Sequence, residues 1–224
     1  MITVEDVSHR LGERLALDRV SVDFAEHRVG VIGANGSGKS TFARLLNGLI
    51  VPDSGRVTVD GLSTARDGKE VRRKVGFVFT DPDAQIVMPT VAEDVAFGLR
   101  RSGLPRAEIT RRVSDVLDRF GLGGFDDRPA HLLSGGEKQL LALCSVLVTE
   151  PATVVCDEPT TLLDLRNARL IGALLAGLAQ RIVLVTHDLA MLASFDRVLV
   201  FDDGRLVGDD VPAVAVARYR ELMG

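Results

Sequence analysis

The chain has 224 residues, with 27 basic against 31 acidic side chains and a net formal charge of −4, which argues against the clustered cationic footprint of a sequence-independent nucleic-acid binder. Nine Phe, one Tyr and no Trp leave few aromatics for stacking bases or sugars. At 46% hydrophobic and 26% charged, the composition is that of a folded globular protein, long enough for one domain with a subdomain.

Near the N-terminus, Ile2–Val7, Ala16–Phe24 and Gly55–Asp60 alternate apolar and polar residues, which predicts an antiparallel sheet. Short apolar runs at Val29–Ile32, Val75–Phe79, Thr153–Cys156, Ile182–Thr186 and Val198–Phe201 read as buried strands. Helical periodicity follows at Ser40–Gly48, Ile109–Phe120, Glu137–Thr149, Leu165–Gln180 and Leu189–Ser194. Strand-then-helix alternation predicts an α/β fold whose mainly parallel sheet is covered on both faces. The stretch from about Asp83 to Glu150 is mostly helical in character, with no convincing strand, and reads as an α-helical subdomain inserted within a single domain spanning 1–224. Asp203-Gly204 reads as a hairpin turn.

The longest apolar runs, Leu140–Thr149 and Leu170–Ala179, fall short of the roughly 18–20 residues of a membrane span. The start, Met-Ile-Thr-Val-Glu-Asp, lacks the basic and apolar regions of a signal peptide. Cys144 and Cys156 sit in apolar segments without metal-ligand spacing and read as small buried hydrophobes in a reducing cytoplasm. A cytosolic chain is expected, acting at a membrane only through a partner.

Gly33-Ala34-Asn35-Gly36-Ser37-Gly38-Lys39-Ser40-Thr41 follows a predicted strand and opens a predicted helix, matching G-x-x-x-x-G-K-[ST] in its required context. Its glycines let backbone N–H groups turn around a phosphate, and the helix N-terminus adds partial positive charge. Lys39 is expected to bridge the β- and γ-phosphates of ATP and the Ser40 hydroxyl to hold Mg²⁺. Asp157-Glu158 ends the strand Thr153–Cys156, where ligands bind in α/β sheets. Asp157 is expected to contact Mg²⁺ through water and Glu158 to act as general base, the alternative being a helix cap. His187 follows another buried strand; it reads equally as a structural histidine or as a donor to a γ-phosphate.

Leu133-Ser134-Gly135-Gly136-Glu137-Lys138-Gln139 opens a long apolar helix. It reads as a second anion site or as a simple N-cap by Ser134. One nucleotide hardly needs two phosphate sites in one chain, so the expectation is a head-to-tail dimer holding two ATP molecules between Lys39 of one copy and Ser134 of the other.

These motifs together resemble the ABC-type ATPases, the nucleotide-binding subunits of transporters, over nearly the whole chain. The resemblance implies a P-loop NTPase fold with a RecA-like core, an N-terminal antiparallel β subdomain and the helical insertion. Thr161-Leu162-Leu163-Asp164 resembles the loop whose aspartate couples the two sites across the dimer. Phe77–Gln85 and Thr90–Gly98 are similar to the ATPases of energy-coupling-factor importers of vitamins or transition-metal ions, and most of all to a biotin-uptake ATPase. That implies a homodimer, or a heterodimer with a paralogous ATPase. It would dock at the cytoplasmic face of the membrane on a coupling subunit beside a substrate-capture protein, with the segment Asp83–Gly98 receiving the coupling helix.

Two positions depart from the family pattern. Thr80 stands where a glutamine is usual, leaving Gln85 as a substitute or Thr80 acting through water. The adenine-stacking aromatic is missing near Leu11, so Leu11 and His9 are expected to hold the base. The alternative function is a soluble non-transport ABC ATPase with a regulatory or nucleic-acid-linked role, although the second ATPase unit, coiled coils and basic arms common in such relatives are absent.

Overall fold

The computed structural model describes residues 1–224. The chain divides into two units, the first comprising Met1–Phe77, Ala152–Glu158 and Ala176–Gly224, the second Val78–Pro151 and Pro159–Leu175.

In the first unit, the alternating N-terminal residues form β1 (Ile2–Leu11) and β2 (Arg14–Phe24), antiparallel partners that continue into β4 (Ser54–Val59) and the two-residue β5 (Leu62–Ser63). The sheet order is β2-β1-β4-β5. Ile2, Val4 and Val7 are buried, while Thr3 and Glu5 face out, as the period of two requires. The register slips between Val4 and Val7, where Asp6 adopts a positive φ of 47°, and such a bulge lets one face stay buried while the strand bends.

The continuous apolar runs form a second sheet in the order β10-β9-β3-β8-β7-β6. Its strands are β3 (Arg28–Gly33), β6 (Val75–Val78), β7 (Thr153–Asp157), β8 (Arg181–Val185), β9 (Arg197–Asp202) and β10 (Arg205–Asp210). β3 runs parallel to both β8 and β9, and β7 parallel to β8. Every residue of β7 and all but the first of β3 and β8 are buried, which is why these strands show no alternation. The helices of this unit are α1 (Lys39–Leu46), α2 (Gly68–Lys74) and α7 (Pro212–Met223). Phe42 on α1 meets Phe201 on β9 with ring centroids 4.9 Å apart, tilted by 44°, an aromatic contact that locks α1 onto the sheet.

The second unit is helical: α3 (Val91–Phe97), α4 (Arg106–Arg119), α5 (Gly135–Leu147) and α6, whose span Leu165–Ala176 ends one residue into the first unit. No helix of the chain is long and apolar enough to cross a membrane.

Predicted strand ends lie within two residues of the observed ones except in β1, which runs to Leu11, four residues past the predicted Val7, and two of the predicted helices depart as follows. Leu189–Ser194 is a single 3-10 turn, Leu189–Leu192: the Asp188 carboxylate caps its start by accepting from the N–H of Ala190, and the chain leaves the turn at Ala193, ahead of β9. Leu165–Gln180 stops at Ala176, one residue before Gly177, and the Arg28 guanidinium donates to the carbonyls of Ala176 and Gln180 at 3.2 and 2.7 Å and to that of Leu178. Helices α2 and α7 have no counterpart among the sequence expectations, and α3 falls within the stretch expected to be helical; α2 is mostly charged, with Val71 alone buried, so it carries almost no apolar period. Cys144 and Cys156 are free and buried, and burial pushes both thiols up to about 12.

Candidate active site

The turn from β3 into α1 lies within the first unit, and Gly38 ends it with φ +102° as the N-cap of α1. A Cβ at Gly38 would meet the Ala16 carbonyl oxygen at 2.4 Å, so only glycine fits this left-handed, close-packed position. The predicted hairpin turn serves the same loop: the N–H of Gly204 donates to the Ser37 carbonyl at 3.1 Å, and the Gly204 carbonyl accepts from Asp18 at 2.9 Å.

Inside the loop, Lys39 is 4% exposed. Its Nζ donates to the carbonyls of Gly33 and Ala34 at 2.9 and 2.8 Å. Burial lowers its pKa, while Glu158 and Asp157 act in the opposite sense. The Ser37 hydroxyl is buried without a hydrogen-bond partner. A buried ammonium held only by carbonyls and an orphaned hydroxyl in the same turn suit a polyanion such as the phosphate chain of ATP.

The Ser40 hydroxyl donates to Asp157 Oδ1 at 2.8 Å. Arg44 Nη2 lies 3.8 Å from Asp157 Oδ2. Burial raises the Asp157 pKa, with the Ser40 bond and Arg44 pulling against it. A hydroxyl beside a desolvated carboxylate is a hard-oxygen donor pair that suits Mg²⁺, which takes one or two protein oxygens and completes its shell with phosphate and water. Glu158 follows at once with φ +51°, a left-handed conformation that is strained for a residue with a Cβ. Its carboxylate Oε1 lies 2.7 Å from His187 Nε2. Lys39, Ser40, Asp157, Glu158 and His187, distant in sequence, therefore belong to one end of one sheet.

The cleft has a volume of about 190 Å³ and is lined by Leu11, Arg14, Ala16, Asn35, Gly36, Gly38, Lys39, Ser40, Thr41 and Glu158. Leu11 is in it as expected. His9 is not among the lining residues: its Nδ1 lies 3.4 Å from Asp53 Oδ2 and its side chain is only 13% exposed, so it does not face the cleft as a base contact. Arg14 and Ala16 line it without any motif having announced them; Arg14 stands directly across the hairpin from Leu11.

The second unit holds the other motifs. Ser134 caps α5 in a full capping box with Glu137. The Glu137 carboxylate accepts from the Ser134 N–H at 2.7 Å and lies 3.2 Å from Arg128 Nη1, and these bonds lower its pKa, that of Ser134 first. Glu137 thus shapes the helix start, while Ser134 and Gly135 remain exposed and Gly136 is buried. Asp164 Oδ1 accepts from the Asn167 N–H at 2.8 Å and Oδ2 from its side-chain amide at 3.1 Å. Both ends of the Gln85 amide are engaged within this unit, Oε1 accepting from Phe79 N at 3.1 Å and Nε2 donating to the Ala142 carbonyl at 3.0 Å. Thr80 is half-buried next to this clamp. Three further links join the segment to α5: Gln139 Nε2 to the Phe79 carbonyl at 3.4 Å, Lys138 to Asp83 at 2.7 Å, and the Ser145 hydroxyl to Asp94 at 2.8 Å.

A family model described as ABC transporter matches residues 17–161. The chain belongs to the ABC transporter ATPase family. This ABC ATPase is 52% identical to the biotin transport ATP-binding protein BioM of Rhizobium etli, across 99% of this chain and 98% of that one. It is 41% identical to the energy-coupling factor transporter ATP-binding protein EcfA1 of Latilactobacillus sakei, across 94% and 77% of the two chains. Among solved structures it is similar to cbiO1 from Clostridium perfringens, part of the ABC transporter complex cbiONQ, with TM-score 0.83, 32% identity and coverage of 99% and 92%. The fold is accordingly that of a P-loop NTPase, the activity is ATP hydrolysis, and the chain is an ABC ATPase of the energy-coupling-factor importer type.

Proposed function

We propose that this ABC ATPase energises import of biotin, with transition-metal uptake as the alternative cargo class, as a motor docked on a membrane coupling subunit beside a substrate-capture protein. The 52% identity to a biotin transport subunit, over nearly the full length of both chains, supports the cargo. The observation that carries the motor reading is the pairing of Glu158 with His187 in the unit that also pairs Ser40 with Asp157.

In this reading Lys39, the loop N–H groups from Gly36 to Thr41 and the N-terminus of α1 bind the phosphates of ATP. Ser40 and Asp157 hold Mg²⁺, which when bound neutralises charge developing between the β- and γ-phosphates. Glu158 accepts the proton of the attacking water, and His187 keeps its carboxylate oriented and donates toward the γ-phosphate. Two copies, or this chain and a paralogous ATPase, close head to tail, so that the exposed Ser134–Gly135 start of α5 in one copy completes the ATP site of the other and Asp164 couples the two sites. The four side-chain links to α5 tie the segment from Phe79 to Gly98 to that helix, which supports a stroke passing through this segment to the membrane partner. Thr80 contributes no amide to it, and Gln85 serves as a clamp within the segment.

Purification from membranes, followed by vesicle uptake of labelled biotin, tests the proposal. Co-purifying integral proteins and ATP-dependent biotin accumulation are the expected result. Recovery of nucleic acid, or of soluble partners alone, overturns it.

A further inference from the structure

The cleft contains a second cation besides Lys39. Leu11 and Arg14 are register partners at the tip of the β1–β2 hairpin. Gly12 turns that tip with φ +61°, and the Arg10 guanidinium braces it by donating to the Glu13 carbonyl. This geometry brings both Leu11 and Arg14 to the cleft. Arg14 Nη2 donates to the Gly36 carbonyl. The guanidinium rests directly against the loop: a Cβ at residue 36 would meet Nη2 at 2.9 Å and Nη1 at 3.1 Å. Lys39 and Arg14 are the two cationic side chains that line the cleft, one buried and one exposed.

A neutral carbonyl is a modest partner for a guanidinium, and a phosphate oxyanion is a stronger one, which the planar fork matches with two parallel bonds. Leu11 offers the base no π face, so stacking contributes little to affinity here. The binding free energy must then come mainly from the phosphate end, where Arg14 already sits. We propose that Arg14 is a second phosphate-gripping residue, exchanging the Gly36 carbonyl for the triphosphate of the incoming nucleotide, so that this site selects a triphosphate and reads its base weakly. The proposal rests on the nucleotide-site reading above.

The experiment measures equilibrium binding of ATP, GTP and inorganic tripolyphosphate to the purified full-length chain, to Arg14→Gln and Arg14→Lys, and to Lys39→Ala as a control. Circular dichroism confirms that the exposed Arg14 variants are folded. Arg14→Gln is expected to weaken ATP and tripolyphosphate alike, by about tenfold or more, the scale of a charge-assisted pair, with partial recovery in Arg14→Lys. ATP and GTP are expected to bind the native chain within about threefold of one another, since a site without hydrogen-bond readout discriminates weakly. Lost ATP affinity with tripolyphosphate binding retained would place Arg14 on the base and overturn the proposal. Unchanged binding of both overturns it too. Native binding of all three ligands that survives in Lys39→Ala would instead refute the site itself.

Discussion

His187 Nε2 lies 2.7 Å from Glu158 Oε1, although 28 positions separate them in the chain. The contact follows from strand order. β7 and β8 are parallel neighbours with Asp157 opposite Val185, and the Glu158 N–H donates to the Val185 carbonyl at 2.9 Å. One residue beyond β7 and two beyond β8, the side chains therefore meet. The strained backbone at Glu158 is held by that bond and by the buried strand before it, so its carboxylate is preorganised before nucleotide arrives.

Glu158→Gln keeps the shape of this side chain and removes the base. ATP hydrolysis should fall by about 10²–10⁴-fold, the usual contribution of general base catalysis, while ATP binding persists. The variant should then accumulate as an ATP-dependent dimer in light scattering; a monomer at saturating ATP would sink the sandwich arrangement. His187→Ala should lower turnover more than it lowers ATP affinity, since Lys39 and the loop N–H groups also hold the phosphates while His187 pairs with the base.

Asp157→Asn separates stability from activity. Burial raises the Asp157 pKa, so between the unfolded value and the folded one the native state binds the extra proton. The associated stability is present below the unfolded pKa and is lost as pH rises through the folded pKa. Nucleotide-free Asp157→Asn, which keeps an oxygen acceptor for Ser40, should show a higher Tm than the native chain near neutral pH and a weaker dependence on pH across that window. Mg²⁺-dependent hydrolysis should be lost. A lower Tm in chelator would show that Arg44 and Ser40 outweigh the desolvation.

Lys39→Ala removes the buried ammonium from the loop. ATP affinity should drop by about 100-fold, the scale of a lost charge-assisted contact with little solvent to replace it. Calorimetric titration checks it, and undiminished affinity means that the nucleotide sits elsewhere.

Asp94, 3% exposed, accepts from the N–H groups of Val87 and Met88 at 2.8 and 3.0 Å and from the Ser145 hydroxyl at 2.8 Å. Asp94→Ala strands three donors and should cost about 3 kcal/mol. Urea unfolding should show a lowered midpoint at constant slope. Asp94→Asn, which keeps an acceptor, should recover part of the loss.

The phosphate loop, the acidic pair and the Ser134 helix start were legible because each is a local pattern, a strand or loop followed by a helix with fixed residue types. The strands of the parallel sheet were legible for the same reason, being unbroken apolar runs. Helix α2 was not, since a short charged helix with one buried residue has no period to read. The 3-10 turn at Leu189–Leu192 carried helical composition and an Asp188 N-cap, yet it stopped at Ala193 after a single turn.

By itself the sequence determined the chemistry available here: a lysine, a hydroxyl, two adjacent carboxylates and a histidine, each at the end of a segment that had to be buried. Tertiary structure alone decided which of them meet. Parallel pairing of β7 with β8 joins Glu158 to His187, and the β1–β2 hairpin carries Arg14, rather than His9, to the cleft. Gln85, a candidate ligand by position, became a clamp because Phe79 and Ala142 take both ends of its amide. Such outcomes depend on strand order and hairpin register, which are set by packing between distant segments and leave no local pattern in the chain.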